Sequence, residues 1–115
     1  MSLSPPSDGL TPVDDVAGRT VYRDEDRETY HVWWTDSDPE AVSTVLVLAV
    51  ASVLETDPEE LESLSTRVDP DALDTLFAHW GRHRIEDGTT SFRFAGCAVV
   101  CHASGELVID PPADR

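Results

Sequence analysis

Three groups of residues carry side chains able to do chemistry. The first is Cys97-Ala98-Val99-Val100-Cys101-His102, two thiols four positions apart with an imidazole beside the second. The apolar residues between them read as a strand, on which positions four apart are separated by about 13 Å. A disulfide needs Cα atoms within about 7 Å, and two thiolates on one zinc must be closer still. Both cysteines are therefore read as buried strand positions, with no metal and no cofactor assigned. The second group, His79-Trp80-Gly81-Arg82-His83-Arg84, concentrates positive charge on an otherwise acidic chain, and Arg93 is expected near it. Such a cluster could take an acidic partner or a phosphate; the simpler reading is a solvated helix end, where positive groups suit the dipole. The third group, Asp57, Glu59, Glu60 and Glu62, lacks the pocket that paired catalytic carboxylates need and is read as a solvated face. No group has the spacing of a catalytic centre, so no enzyme is expected.

The elements that must position these residues are legible from periodicity. From Arg67 to Asp110 one amphipathic stretch precedes three short runs of alternating polarity, with Ala95-Gly96 and Ser104-Gly105 between them. That pattern predicts a helix packed on a three-stranded antiparallel meander. Asp69 caps the helix, Pro70 fits its first turn, Ala72, Leu73, Leu76, Phe77 and Trp80 form its buried stripe, and Gly81 ends it. A two-residue loop at Ala95-Gly96 pairs Phe94 with Cys97, Phe92 with Val99 and Thr90 with Cys101. Phe92, Phe94, Cys97, Val99 and Cys101, with Leu107 and Ile109, should face the helices. Arg93, Ala98, Val100 and His102 then face the other way, on a surface only partly polar.

Upstream, Thr20–Arg23 and Glu28–Trp34 predict a β-hairpin around the charged turn Asp24-Glu25-Asp26-Arg27. Trp33 and Trp34 must point to opposite sides of that strand, one into a core layer and the other to a rim, a helix junction or a partner. Ser37 or Asp38 with Pro39 and Glu40 reads as the start of a central helix running to about Glu55, apolar nearly all round. Thr56-Asp57-Pro58 opens a further short turn with Leu61 and Leu64 inward. The expected fold is α+β in two layers: an N-terminal β-hairpin, a central helix plus two short helical segments, and a C-terminal three-stranded antiparallel meander. Residues 1–18 are expected as a disordered tail, 19–110 as a single domain, and 111–115 as a frayed C-terminus.

Charge is the strongest bulk signal. The 115 residues hold 23 Asp and Glu against 8 basic residues, all of them Arg, for a net charge of -15. Self-repulsion at that charge opposes compaction at low ionic strength. In molar salt the Debye length falls to about 3 Å and the repulsion is screened. A core-forming composition with this charge and no Lys points to a halophilic cytoplasmic protein. The longest apolar run, Val45 to Ala51, is far below the roughly 20 residues that span a bilayer. The first residues lack the basic start and apolar run of a signal peptide.

Several stretches together resemble the halobacterial output domain, a small domain of haloarchaeal signalling proteins. They are Thr29-Tyr30-His31-Val32, Ala41 to Val47, Asp57 to Leu61, Val68 to Phe77 and Ser91 to Gly96. The resemblance covers about Tyr22 to Ile109 and departs from the family pattern at Ser65-Thr66-Arg67 and Cys97. It implies a non-catalytic signalling output or interaction module with a protein partner, and a homodimer is compatible with it. A small nucleic-acid-binding regulator using Arg82 to Arg84 is the alternative. Partner binding is expected at the corner of the helix end and the outer meander face: His79, Arg82, His83, Arg84, Arg93 and Val100.

Overall fold

In the computed structural model, which describes residues 9–112, the alternating runs become strands of a single sheet. Strands β1 (Leu10–Val16), β2 (Arg19–Asp24), β3 (Thr29–Trp33), β4 (Thr89–Phe94), β5 (Cys97–His102) and β6 (Glu106–Asp110) lie in the order β1-β2-β3-β6-β5-β4. All neighbours are antiparallel. The hairpin and the meander are thus one sheet, joined where Tyr30 lies opposite Ile109 and Val32 opposite Leu107. The meander register is the one that its spacing predicts, with Phe94 opposite Cys97, Phe92 opposite Val99 and Thr90 opposite Cys101.

Two α-helices of equal length, α1 (Val42–Leu54) and α2 (Pro70–Arg82), lie on one face of the sheet. Two short 3₁₀ turns, Pro58–Glu60 and Leu64–Thr66, connect them. Between the layers, Val45, Leu46 and Val50 of α1 meet Val32, Phe94, Cys97, Val99, Cys101, Leu107 and Ile109, and all are sealed from water. The architecture is α+β in two layers, as the sequence predicts.

The differences from the sequence reading have local causes. Residues 1–8 of the expected tail and residues 113–115 of the expected frayed end lie outside the described residues. Within the described part, Leu10–Val16 is strand β1, not tail. Its period is hidden because almost every residue is exposed and a bulge interrupts the register between Pro12 and Asp14. It is held by the Ala17-Gly18 turn, both residues at positive φ as a two-residue hairpin of this type requires. Helix α1 begins at Val42, and neither Ser37 nor Asp38 caps it. Asp38 instead accepts from the Thr35 N–H at 2.8 Å and pairs with Arg19. The cap is tertiary: Asp74 of α2 accepts from the Ser43 backbone N–H at 3.0 Å and from its hydroxyl at 2.9 Å. Asp69 caps α2 as predicted, but Gly81 does not end it, and Ala72 lies outside the buried stripe. Termination falls at Arg84, whose φ of 54° puts it in the left-handed region. There the Ile85 N–H reaches the Trp80 carbonyl and the Arg84 N–H reaches that of Gly81, closing the helix end without glycine.

Candidate interaction surface

Every second residue of the sheet points away from the helices, and among the described residues no element covers that face. The pairing places Tyr22 beside His31, Trp33 beside Glu106, and Val100 between Ser91 and Val108. The two tryptophans divide as the pleat requires. Trp34 turns inward to meet Phe77 edge-on at 5.7 Å, with its Nε1–H donated to the Glu40 carbonyl at 2.9 Å. Trp33 stays on the bare face, stacked on His31 and edge-on to Tyr22, each at 6.1 Å between centroids. Gly105 fixes this end of the sheet. Its carbonyl accepts from the Trp34 N–H at 2.9 Å, and a Cβ there would collide with the Trp34 carbonyl.

His31 is the centre of the face. Although it lies on the bare side it is only 7% exposed. Its Nδ1 is 2.7 Å from the Glu106 carboxylate and its Nε2 is 2.9 Å from the Thr29 hydroxyl. A neutral ring protonated on Nδ1 satisfies both, donating to Glu106 and accepting from Thr29. The bond from His31 holds the Glu106 carboxyl below the usual carboxylate range, against the opposing effect of its partial burial. Beside this network lies a shallow cleft of about 570 Å³, walled by Asp24, Asp26, Arg27, His31, Trp33 and Glu106. An indole face with carboxylates around it suits a cationic side chain. Both histidine nitrogens are engaged, so the ring acts as a fixed wall.

The residues singled out from sequence fall into two sets. His79, Arg82, His83 and Arg84 are exposed at the end of α2, with the His79 and His83 rings 4.3 Å apart. Arg93 and Val100 stand together on the bare face, Arg93 exposed and Val100 half-buried. The two sets lie on different elements, the first at the end of α2 in the helix layer and the second on the bare face of the sheet. From α2 the chain rejoins the sheet at Gly88, whose carbonyl accepts from the Ala103 N–H at 2.8 Å. That is the Thr89 end of β4, about 13 Å along the strand from Arg93, and the helix lies against the opposite face. Among the described residues Arg82, Arg84 and Arg93 form no salt bridge. Cys97 and Cys101 are fully buried in the core, and burial pushes the Cys101 thiol up to about 12, far from a thiolate nucleophile. Sequence reasoning missed His31 and Glu106. They lie 75 positions apart and meet only through the β3–β6 register, which no local pattern encodes.

A half-covered antiparallel sheet with aromatic residues on its open face defines a small α+β domain. Residues 38–111 match the halobacterial output domain 1 family, nearly two-thirds of the chain, and the chain belongs to that family. The match begins after β3, so Glu106 and Val100 lie inside it while His31 and Trp33 lie before it. Comparison with curated proteins and with solved structures finds no match. No helix among the described residues is long and apolar enough to cross a membrane.

Proposed function

We propose that the protein is a non-catalytic output module of a signalling pathway, and that it acts by docking a protein partner on the bare face of its sheet. The observation that carries this reading is the face itself: Trp33, Tyr22, Val100 and Val108, each half-buried, surrounded by Arg27, Arg93, His102, Glu106 and Asp110. An aromatic and aliphatic centre with a charged rim is how a modest protein interface is built. The cleft beside Trp33 supports a partner that presents a Lys or Arg side chain, entering between the indole and the carboxylates of Asp24, Asp26 and Glu106. Those carboxylates repel phosphate, which weighs against nucleic acid on this face. A committed His31 and a sealed, protonated Cys101 support a binding role over a chemical one.

The test is affinity capture from a haloarchaeal extract in molar KCl. Wild-type protein is compared with Trp33→Ala, Val100→Asp and the pair Arg82→Glu with Arg84→Glu, each first checked for a native far-UV spectrum. Proteins retained by the wild type should be lost with Trp33→Ala and Val100→Asp and kept with the helix-end pair. The opposite pattern, together with DNA retention that weakens steeply with salt, would place the working surface at Arg82–Arg84 and favour a nucleic-acid regulator.

A further inference from the structure

The two edges of the sheet are unlike. Edge strand β1 carries Pro12, a bulge and the acidic pair Asp14-Asp15. Proline, irregularity and charge are the devices that keep a strand edge from pairing. Edge strand β4 reads Thr-Thr-Ser-Phe-Arg-Phe and is paired with β5 at every position without a shift. It contains no proline, no glycine and no carboxylate, on a chain whose net charge is -15.

Which of its backbone groups are free follows from the turn. Ala95 and Gly96 have φ of 54° and 83°, a two-residue turn that makes the flanking Phe94–Cys97 pair a hydrogen-bonded one. Hydrogen-bonded pairs alternate along an antiparallel ladder. Phe94, Phe92 and Thr90 therefore spend their N–H and C=O groups on β5, while those of Arg93, Ser91 and Thr89 point outward from the sheet. The three outward residues are centred on Ser91.

We propose that β4 is a self-association edge, at which two copies pair their β4 strands antiparallel about a two-fold axis at Ser91. In that register Ser91 faces its own symmetry mate, and Thr89 faces Arg93 of the other copy. All three outward residues on each strand find N–H and C=O partners. Opposition of identical strands is self-complementary, as a closed two-fold interface requires. The charge pattern fits the second copy as occupant. The two Arg93 side chains lie about 13 Å apart along the strands, out of each other's way. Glu86 and Asp87, just before β4, come level with Gly96 and Ala95 of the mate instead of with its acids. On the helix side each half-buried Phe92 stands opposite Thr90 and diagonal to the other Phe92, within reach of aromatic contact. The edge is distinct from the bare face, so pairing there continues the sheet and leaves the docking surface open on both copies.

Light scattering in molar KCl tests this. Wild-type protein should rise with concentration from 12.6 kDa to twice that mass. Amide exchange at Ser91 and Arg93 should slow in step, while that of β1 should not. Ser91→Pro removes only an outward N–H and should give a folded monomer. Ser91→Asp and Ser91→Lys each set like charges face to face at the axis and should dissociate the dimer. Mixing these two variants, at the lowest KCl that still supports wild-type pairing, should restore it. A wild type that stays at 12.6 kDa at every concentration would overturn the proposal. So would a dimer unaffected by Ser91→Pro and Ser91→Asp, or variants that do not rescue one another.

Discussion

At the scale of single residues, the His31–Glu106 pair is the most specific arrangement on the bare face, and it makes a pH prediction. The Glu106 carboxyl is depressed in the folded protein by its bond to His31. A depressed carboxylate adds stability that is fully present above its unfolded value and is lost as pH falls through the folded one. Glu106→Gln keeps an acceptor for Nδ1–H but removes the charge. At neutral pH it should cost about 1 kcal/mol, the scale of a part-exposed hydrogen bond to a charged group. The gap between the two melting curves should close as the pH is taken below the carboxylate range. A gap that stays constant down to acid pH would show that the charge on Glu106 plays no part.

At the scale of elements, the capping of α1 shows why a fold can be legible while its joints are not. The sequence between Thr35 and Glu40 has the letters of a helix cap, but Asp38 is taken by Arg19 and by Thr35, so the helix starts later. The acceptor for the Ser43 N–H comes from Asp74, 31 positions away on the facing helix. One carboxylate thus closes a helix end and ties α1 to α2. Asp74→Ala should cost about 1–2 kcal/mol, the range of a lost cap with its tertiary bond, while Ser37→Ala should cost almost nothing. Thermal melts of both variants in molar KCl decide it; equal losses would return the cap to Ser37. The same contrast runs through the fold. The meander register, the buried cysteines and the Asp69 cap are local patterns with a period of two or a fixed offset, and they were readable. Strand β1, the β3–β6 junction and the His31–Glu106 contact depend on partners far along the chain or on a bulge that breaks the period. Arg84 in a left-handed helix end, where glycine is the usual signal, misled in the same way by moving the stop beyond Gly81.

At the scale of the whole molecule, charge sets the conditions under which the rest holds. A net charge of -15 sits on a body with a radius of gyration of only 13.4 Å. At ordinary ionic strength the Debye length is about 8 Å, comparable with the spacing of these charges, and at molar salt it is about 3 Å. Ion pairs among the described residues are few, so most of their carboxylates face water or each other and repel. Adding KCl should therefore raise the melting temperature steeply from the ordinary range to molar concentration, at about 4 °C for each kcal/mol gained in a chain of this length. The dependence has a direction that separates it from generic salting effects. Replacing exposed acids whose carboxylates make no bond among the described residues, such as Glu59 with Glu86 and Asp87, by the neutral amides should raise stability at low salt and leave it nearly unchanged at molar KCl. Melting temperatures measured across the KCl series for both proteins test this. Parallel curves would mean that screening of net charge is not what salt contributes, and a flat wild-type curve would remove the halophilic reading altogether.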